Sequence, residues 1–522
     1  MRLDKLWIGE FRNLKNVSID FDEKSLSTVL IGPNGTGKSN LLEAIALIFR
    51  NLNLLDDPPF NYCLEYEIRG KHVRVEGDQN RERDKTRVFA DGQNIAFRSL
   101  GGSNRSYLPN NVLGYYSGVS KRFETVFLKH RRIFYQKMIR ESECGQPLPL
   151  RPLFFARTFY GQFTLLAFFA LGGQESADFL KEHFNIVGVE RIEFKLKEPY
   201  WHLGKKKTDD AFWGAGGIVR KFLEDLSTVS LRTEKKLVRV NLRNNRTRTE
   251  ERFDLIIRNV ESLRELAKKY QSPVDFFKML ESTSISDLIY RLEILVKKEN
   301  VDNGIEINEL SEGEQQLLVV LGLLKFMKED ESLFLLDEPD THLNPAWKAD
   351  YFDMLERIAG RNENSHIIVV THDPLLVGGL TKEQVQIFSF RGKSRRIIVF
   401  PPDEDPIGMG VDGLLTSDLF GLATTLDLKT QRVLNRRREL VVKKNLQKEG
   451  LSTDEAKELA QLDNYISQLG FIGTVRDPLY TKFLTALRRY ETKQRIEFNE
   501  LERKKQAELV EKLLSEIKEE EK

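Results

Sequence analysis

Asp337 and Glu338, at the end of the run Leu333-Phe334-Leu335-Leu336, are two adjacent carboxylates whose position suits work on a phosphate anhydride. A continuous apolar run reads as a strand buried on both faces, which carries such groups to its C-terminal tip, where open α/β sheets bind ligands. There one carboxylate can hold Mg²⁺ and the next can polarise water. A second apolar run, Ile367-Ile368-Val369-Val370, ends at Thr371-His372-Asp373 and delivers His372 to the same edge. Just upstream, Leu310-Ser311-Glu312-Gly313-Glu314-Gln315-Gln316 places a hydroxyl and a glycine at a helix start, a second surface suited to anions. Each piece alone is commonplace as a strand end, a turn or a cap. Their occurrence together in this order is what argues for chemistry.

A phosphate cradle stands near the N-terminus. Gly32-Pro33-Asn34-Gly35-Thr36-Gly37-Lys38-Ser39 matches the P-loop pattern, in which backbone N–H groups and a helix N-terminus surround the phosphates. Gly32, Asn34, Gly35, Gly37 and Asn40 are expected around them, Lys38 on the β/γ oxygens, and Ser39 on Mg²⁺. The flanking sequence fits. The strand-like Leu26 to Ile31 precedes the loop, and Leu41, Leu42, Ile45, Ala46, Ile48 and Phe49 follow at helical spacing.

The 522 residues exceed what one core normally holds, so several structural units are expected. The chain is 40% hydrophobic and 31% charged with a net charge of +2, so nucleic-acid contact would have to come from local patches. Two cysteines, Cys63 and Cys144, cannot build a disulfide framework or a four-ligand zinc site, which fits a reducing compartment. The N-terminus enters strand-like sequence without an apolar signal core, and no apolar run of membrane-spanning length occurs. A cytoplasmic protein is expected.

Leu3 to Ile8 and Val17 to Phe21 read as strands, as do Cys63 to Val75 and Arg87 to Phe97, the last divided by a hairpin at Asp91-Gly92. Gln79 and Gln93 are both conceivable sensors of metal or water, and position does not choose between them. Glu76-Gly77 reads as a surface turn rather than the acidic strand end of a TOPRIM nuclease. From residue 119 to 300 the sequence is expected to be mainly helical. Arg122 to Arg140 forms a basic amphipathic helix, either a solvated face or a phosphate-backbone contact. Lys205-Lys206-Lys207 and the segment Arg232 to Arg248, turning at Asn244-Asn245, add basic patches; Phe154 to Leu171 reads as a buried helix. No Cys-x-x-Cys or sustained heptads suggest a long arm with a zinc hook. A closing hairpin is expected around Gly392 and a solvated loop at Asp403-Glu404-Asp405. Residues 401 to 522 read as a helical appendage: a basic helix Arg432 to Lys448, a capping box at Ser452 to Glu455, and a final helix from Asp477-Pro478.

Gly32 to Ser39, Ser311-Glu312-Gly313, Asp337-Glu338 and His372 together resemble the ABC/SMC-type ATPase heads. The resemblance implies an α/β P-loop head with a largely helical insertion and a helical C-terminal extension. Residues 1 to 118 and 301 to 400 form its two parts. It assigns Asp337 with Ser39 to Mg²⁺, Glu338 to water activation, His372 to the switch position and Asn344 to the loop after the carboxylates. It also implies a head-to-tail homodimer in which Ser311, Gly313 and Glu314 of one copy face ATP held by the other. Phe11-Arg12-Asn13-Leu14 resembles the first turn of SMC-type heads, implying Arg12 near phosphate and Asn13 near the nucleotide.

A narrower resemblance rests on Val112 to Gly118, Asp418-Leu419-Phe420-Gly421 and Arg476-Asp477-Pro478-Leu479-Tyr480. These look like the PtuA-type ATPase subunit of Septu-type and retron-associated antiphage systems. That family implies an HNH-nuclease partner and, in retron versions, a reverse transcriptase and its DNA product. No TOPRIM constellation is found, so nuclease activity is not expected from this chain. The alternative is an SMC/repair-type ATPase that engages DNA directly through its basic faces. A transporter's nucleotide-binding subunit is disfavoured by the large insertion and appendage.

Overall fold

The computed structural model describes residues 1–468 except 23, 102–105, 141–150, 203–209, 242–246, 302, 328–330, 360–363, 393–394, 423 and 447–450. Its central sheet has seven strands in the order Arg396–Phe400, Val385–Arg391, Ser27–Ile31, Ser365–Val370, Ser332–Asp337, Asn111–Tyr116 and Leu153–Ala156. All neighbours run parallel except the hairpin formed by the first two. Both faces are covered, which is why the inner strands read as unbroken apolar runs. Val29, Ile31, Phe334, Leu336, Ile367 and Val369 point into one core. Leu30, Leu333, Leu335, Ile368 and Val370 point into the other. This two-residue alternation divides the helices as well. The P-loop helix Lys38–Leu54 sends Leu41, Ile45 and Phe49 into the second core. Helix Glu312–Met327 sends Leu317, Val320 and Leu324 into the first.

A second, antiparallel sheet of six strands joins Leu14–Asp20, Arg2–Phe11, Tyr62–Ile68, Lys71–Gly77, Thr86–Ala90 and Gln93–Ile95 in that order. Its last hairpin turns on Asp91 and Gly92 at φ 48° and 79°, the left-handed pair that a two-residue turn with the twist of the strands requires. Glu76 lies within a strand rather than in a turn and pairs with Arg74 and Arg81.

The insertion departs from a mainly helical reading. Among the described residues it holds six helices, Arg122–Arg140, Tyr160–Leu171, Gly173–Phe184, Gly217–Val229, Val260–Ala267 and Pro273–Ile285. It also supplies most of a third sheet, antiparallel, in the order Leu231–Arg232, Thr247–Ile257, Ile186–Lys197, Ile289–Lys298 and Ile305–Glu306, with Lys236–Asn241 also on Thr247–Ile257. The physical reason is period two: Ile192, Phe194 and Leu196 are buried while Glu193, Lys195 and Lys197 between them meet partners across the sheet or at its edge. Phe154 to Leu171 likewise divides, into the edge strand Leu153–Ala156 and the buried helix Tyr160–Leu171.

Two compact units meet between Phe420 and Gly421, so residues 401 to 420 belong with the head rather than with the appendage. Leu414 and Leu419 sit in the head's first core. In the second unit, helices Leu428–Leu446 and Thr453–Gln468 pair charge against charge. Arg436 meets Glu458 at 2.9 Å, Arg437 meets Asp463 at 2.5 Å and Lys443 meets Glu455 at 2.5 Å. Ser452 and Glu455 exchange the two hydrogen bonds of the expected capping box. Lys205 to Lys207, Asn244-Asn245, Cys144 and everything from Arg476 onward lie outside the described residues. Among those described, no helix is long and apolar enough to cross a membrane.

Candidate functional site

The turn between Ile31 and Lys38 is shaped by three glycines with left-handed backbone, Gly32, Gly35 and Gly37 at φ 135°, 81° and 93°. A side chain on Gly32 would lie 2.1 Å from the Phe388 carbonyl oxygen, and one on Gly37 would lie 2.7 Å from Leu14. A side chain on Gly35 would meet no atom within 4 Å. Gly37 caps the P-loop helix with no side-chain bond, and the first turn carries no acidic residue. Its N–H groups and dipole are left for an anion.

Lys38 folds back over this loop, its Nζ donating to the carbonyls of Gly32 at 2.7 Å and Pro33 at 3.1 Å. Burial lowers its pKa to about 8, against the attraction of Asp337 and Glu338. Ser39 Oγ donates to Asp337 Oδ1 at 3.1 Å. Burial also raises the Asp337 carboxyl to about 6, with Ser39 and Lys38 opposing the rise and Glu338 adding to it. A hydroxyl and a buried carboxylate side by side are donors of the kind a hard cation takes, and Mg²⁺ completes its shell with phosphate and water. Among the described residues no group of three or more His, Cys, Asp or Glu side chains could hold a metal by itself. Two protein oxygens beside a phosphate loop therefore fit Mg²⁺ bound together with a nucleotide.

Glu338 turns out of the strand at φ 52°, its amide donating to the Val370 carbonyl at 2.8 Å. That places its carboxylate 3.9 Å from His372 Nε2, both side chains being partly open to solvent. Burial and Lys38 lower the His372 pKa, with Glu338 opposing them. Lys38, Ser39, Asp337, Glu338 and His372 thus stand at the C-terminal edge of three adjacent strands.

Asn13 Nδ2 donates to the Gly35 carbonyl at 2.8 Å and Asn40 Nδ2 donates to Asn13 Oδ1 at 2.6 Å, so the first hairpin braces the phosphate loop. Arg12, itself at φ 55°, pairs with Glu43 on the P-loop helix. Asn34 lies on the exposed side of the loop.

Ser311, Gly313 and Glu314 are elsewhere. Ser311 N and Oγ both donate to Glu314 Oε2 at 2.9 Å, and Glu314 N donates to Ser311 Oγ at 3.2 Å. Burial would raise the Glu314 pKa, but Lys298 at 2.6 Å and Ser311 outweigh it and hold the carboxyl low. A side chain on Gly313 would lie 2.6 Å from the His342 carbonyl, so glycine lets the helix start press on the loop that follows Glu338. Among the described residues no hydrogen bond or ion pair joins this helix start to the P-loop. Asn344 caps the helix Pro345–Ala349, accepting from Trp347 N at 2.9 Å.

Gln79 is engaged elsewhere, donating to the carbonyls of Pro58 and Pro59. Two side chains at the site were not recognised as site residues in the sequence, Glu43 and Arg122. Glu43 is buried between Arg12 and Arg122, with Arg122 Nε 3.2 Å from Glu43 Oε2 and Nη2 donating to Asn40 Oδ1 at 2.7 Å. An acidic residue on the buried side of an apolar helix was the available signal.

With that geometry in view, the RecF/RecN/SMC N terminal domain matches residues 2–395. The chain belongs to this family. It is an SMC-type ATPase by fold class. It is similar to the retron Vc95 probable ATPase of Vibrio cholerae serotype O1 biovar El Tor, 23% identical over 80% of this chain and 78% of that one. It is also similar to the Septu protein PtuA of Bacillus mycoides (strain KBAB4), 28% identical over 23% of this chain and 18% of that one. The SMC head domain from Thermotoga maritima aligns over 77% of this chain and 99% of that chain at 15% identity, with a TM-score of 0.32.

Proposed function

We propose that this chain is the ATP-binding and ATP-hydrolysing subunit of an antiphage defence complex. Nucleotide-dependent, head-to-tail dimerisation would control an associated HNH nuclease, with a reverse transcriptase and its DNA product as further partners in a retron setting. The observation that carries the reading is the convergence of Lys38, Ser39, Asp337, Glu338 and His372 on one sheet edge. The similarity to a retron ATPase along most of both chains supports the setting.

In this reading the loop amides and Lys38 hold the phosphates, and Ser39 with Asp337 would hold Mg²⁺, which supplies charge neutralisation on the transferring phosphoryl group. Glu338 orients water and accepts its proton. His372, kept neutral by burial and Lys38, holds the far side of that water or the terminal phosphate. Ser311 and Gly313, which make no hydrogen bond or ion pair with their own P-loop among the described residues, are the groups a second copy would receive.

The SMC/repair-type alternative needs basic faces free for DNA. It is less well supported, because Lys129, Arg436, Arg437 and Lys443 are each paired with a carboxylate of the chain itself. Purification of the tagged chain from its native locus, with and without ATP, tests the choice. A stoichiometric HNH protein supports the defence reading, whereas recovery with DNA alone overturns it in favour of repair.

A further inference from the structure

Glu43 is one buried carboxylate facing two guanidiniums, those of Arg12 and Arg122. The trio therefore leaves one positive charge uncompensated on the rim of the phosphate loop. Arg122 faces Glu43 Oε2 as an ion pair, its Nε 3.2 Å away, and donates from Nη2 to Asn40, the residue after Ser39, while about half of its side chain stays open to solvent. Its Nη1 has no protein partner among the described residues.

The segment that delivers Arg122 ties two parts of the molecule together. It leaves the strand Asn111–Tyr116, whose last residue is in register with Asp337. Ser117 Oγ is 2.8 Å from Thr341 Oγ1, which in turn donates to the Glu338 carbonyl at 3.0 Å. After Arg122 the insertion helix lies along the P-loop helix. His130 Nε2 is 3.0 Å from Asn53 Oδ1, Arg50 reaches the Val126 carbonyl at 3.4 Å, and Lys129 pairs with Asp56.

We infer that Arg122 is a phosphate-reading residue of the nucleotide site, positioned by Glu43 and Asn40, that distinguishes a bound triphosphate from a diphosphate and passes the difference to the insertion helix it opens. The inference rests on the nucleotide-site reading above and deepens it. A guanidinium recognises phosphate oxygens as a planar fork, and a spare positive charge gains more from the more highly charged nucleotide. Because Arg122 is the first residue of its helix, any shift toward phosphate is a shift of that helix start.

The test is titration of the full chain with fluorescent ATP and ADP analogues in Mg²⁺, for wild type, Arg122→Ala, Arg122→Lys and Lys38→Ala, each checked for folding by circular dichroism. The expected result is that Arg122→Ala weakens triphosphate binding about tenfold and diphosphate binding less than about twofold, with Arg122→Lys between it and wild type. Equal weakening of both nucleotides, or of neither, overturns the inference while leaving the site intact if Lys38→Ala still abolishes binding. Wild type that fails to bind, or Lys38→Ala that binds normally, overturns the site reading itself. A second readout needs no substitution. Amide exchange over residues 122–133 should slow with a non-hydrolysable triphosphate and not with ADP, and identical exchange in the two states counts against the coupling.

Discussion

Ser39 Oγ donates a hydrogen bond to Asp337 Oδ1 at 3.1 Å, joining residues 298 positions apart. The bond marks where the first turn of the P-loop helix meets the tip of the neighbouring strand system. It holds two oxygen donors together in advance, so the proposed Mg²⁺ would spend little of its binding free energy on gathering them.

Catalysis should separate from binding at this edge. If Glu338 accepts the proton as proposed, Glu338→Gln removes that acceptor and keeps the shape, so phosphate release should fall by about 10²-fold or more. Affinity for ATP, measured by equilibrium titration, should stay near that of wild type. Turnover at the wild-type rate would remove Glu338 from the reaction.

The two loop glycines should rank differently. Gly32→Ala brings a methyl within 2.1 Å of the Phe388 carbonyl, on backbone that only glycine takes easily. It should cost about 3 kcal/mol or more and yield little folded protein. Gly35→Ala meets no atom, so its left-handed φ alone should cost about 1–2 kcal/mol. Thermal denaturation of both proteins checks the order.

Acid should loosen the joint between the first strand and the central sheet. Leu3 N donates to His366 Nδ1 at 3.0 Å, which puts the ring proton on Nε2 facing Thr28 Oγ1. Burial first, then Arg2 and the N-terminal charge, hold the His366 pKa well below 6.5. The unfolded chain therefore takes up a proton that the folded chain refuses. This group's stabilisation is complete above pH 6.5 and is lost as the pH falls toward the folded pKa. His366→Gln, which cannot titrate, should lose less melting temperature than wild type between pH 7.5 and 5.5.

Within the insertion, Arg151 and Glu281 form a pair with almost no exposure, 2.7 Å apart, and Tyr160 Oη donates to the same carboxylate oxygen at 3.0 Å. Glu281→Ala strands a buried guanidinium and should destabilise the chain by about 3–5 kcal/mol. Replacing both partners by methionine should recover most of that loss in urea denaturation. A double variant as unstable as the single would show that the pair is worth more than an apolar contact.

Legibility followed locality. The P-loop and the runs ending at Asp337 and Val370 are contiguous segments, and each carries its own signal: glycines at left-handed turns, or apolar residues at every position of a doubly covered strand. The third sheet was harder to see, because Glu193, Lys195 and Lys197 draw the eye to charge while Ile192, Phe194 and Leu196 between them carry the period. Glu43 and Arg122 were harder still. Their meaning lies in a contact between residues on separate helices, which no spacing along the chain encodes.

Among the described residues the strand Ser27–Ile31 pairs with Ser365–Val370 and Val385–Arg391. On the ribosome, the phosphate loop therefore emerges attached to a strand both of whose partners are still untranslated. The proposed nucleotide site can close only after about residue 391 has left the exit tunnel, and until then two bare strand edges must be kept from other chains. The insertion shares its core with Phe334, Leu336 and Ile367 of the central sheet, so it too is completed only when those later strands are in place.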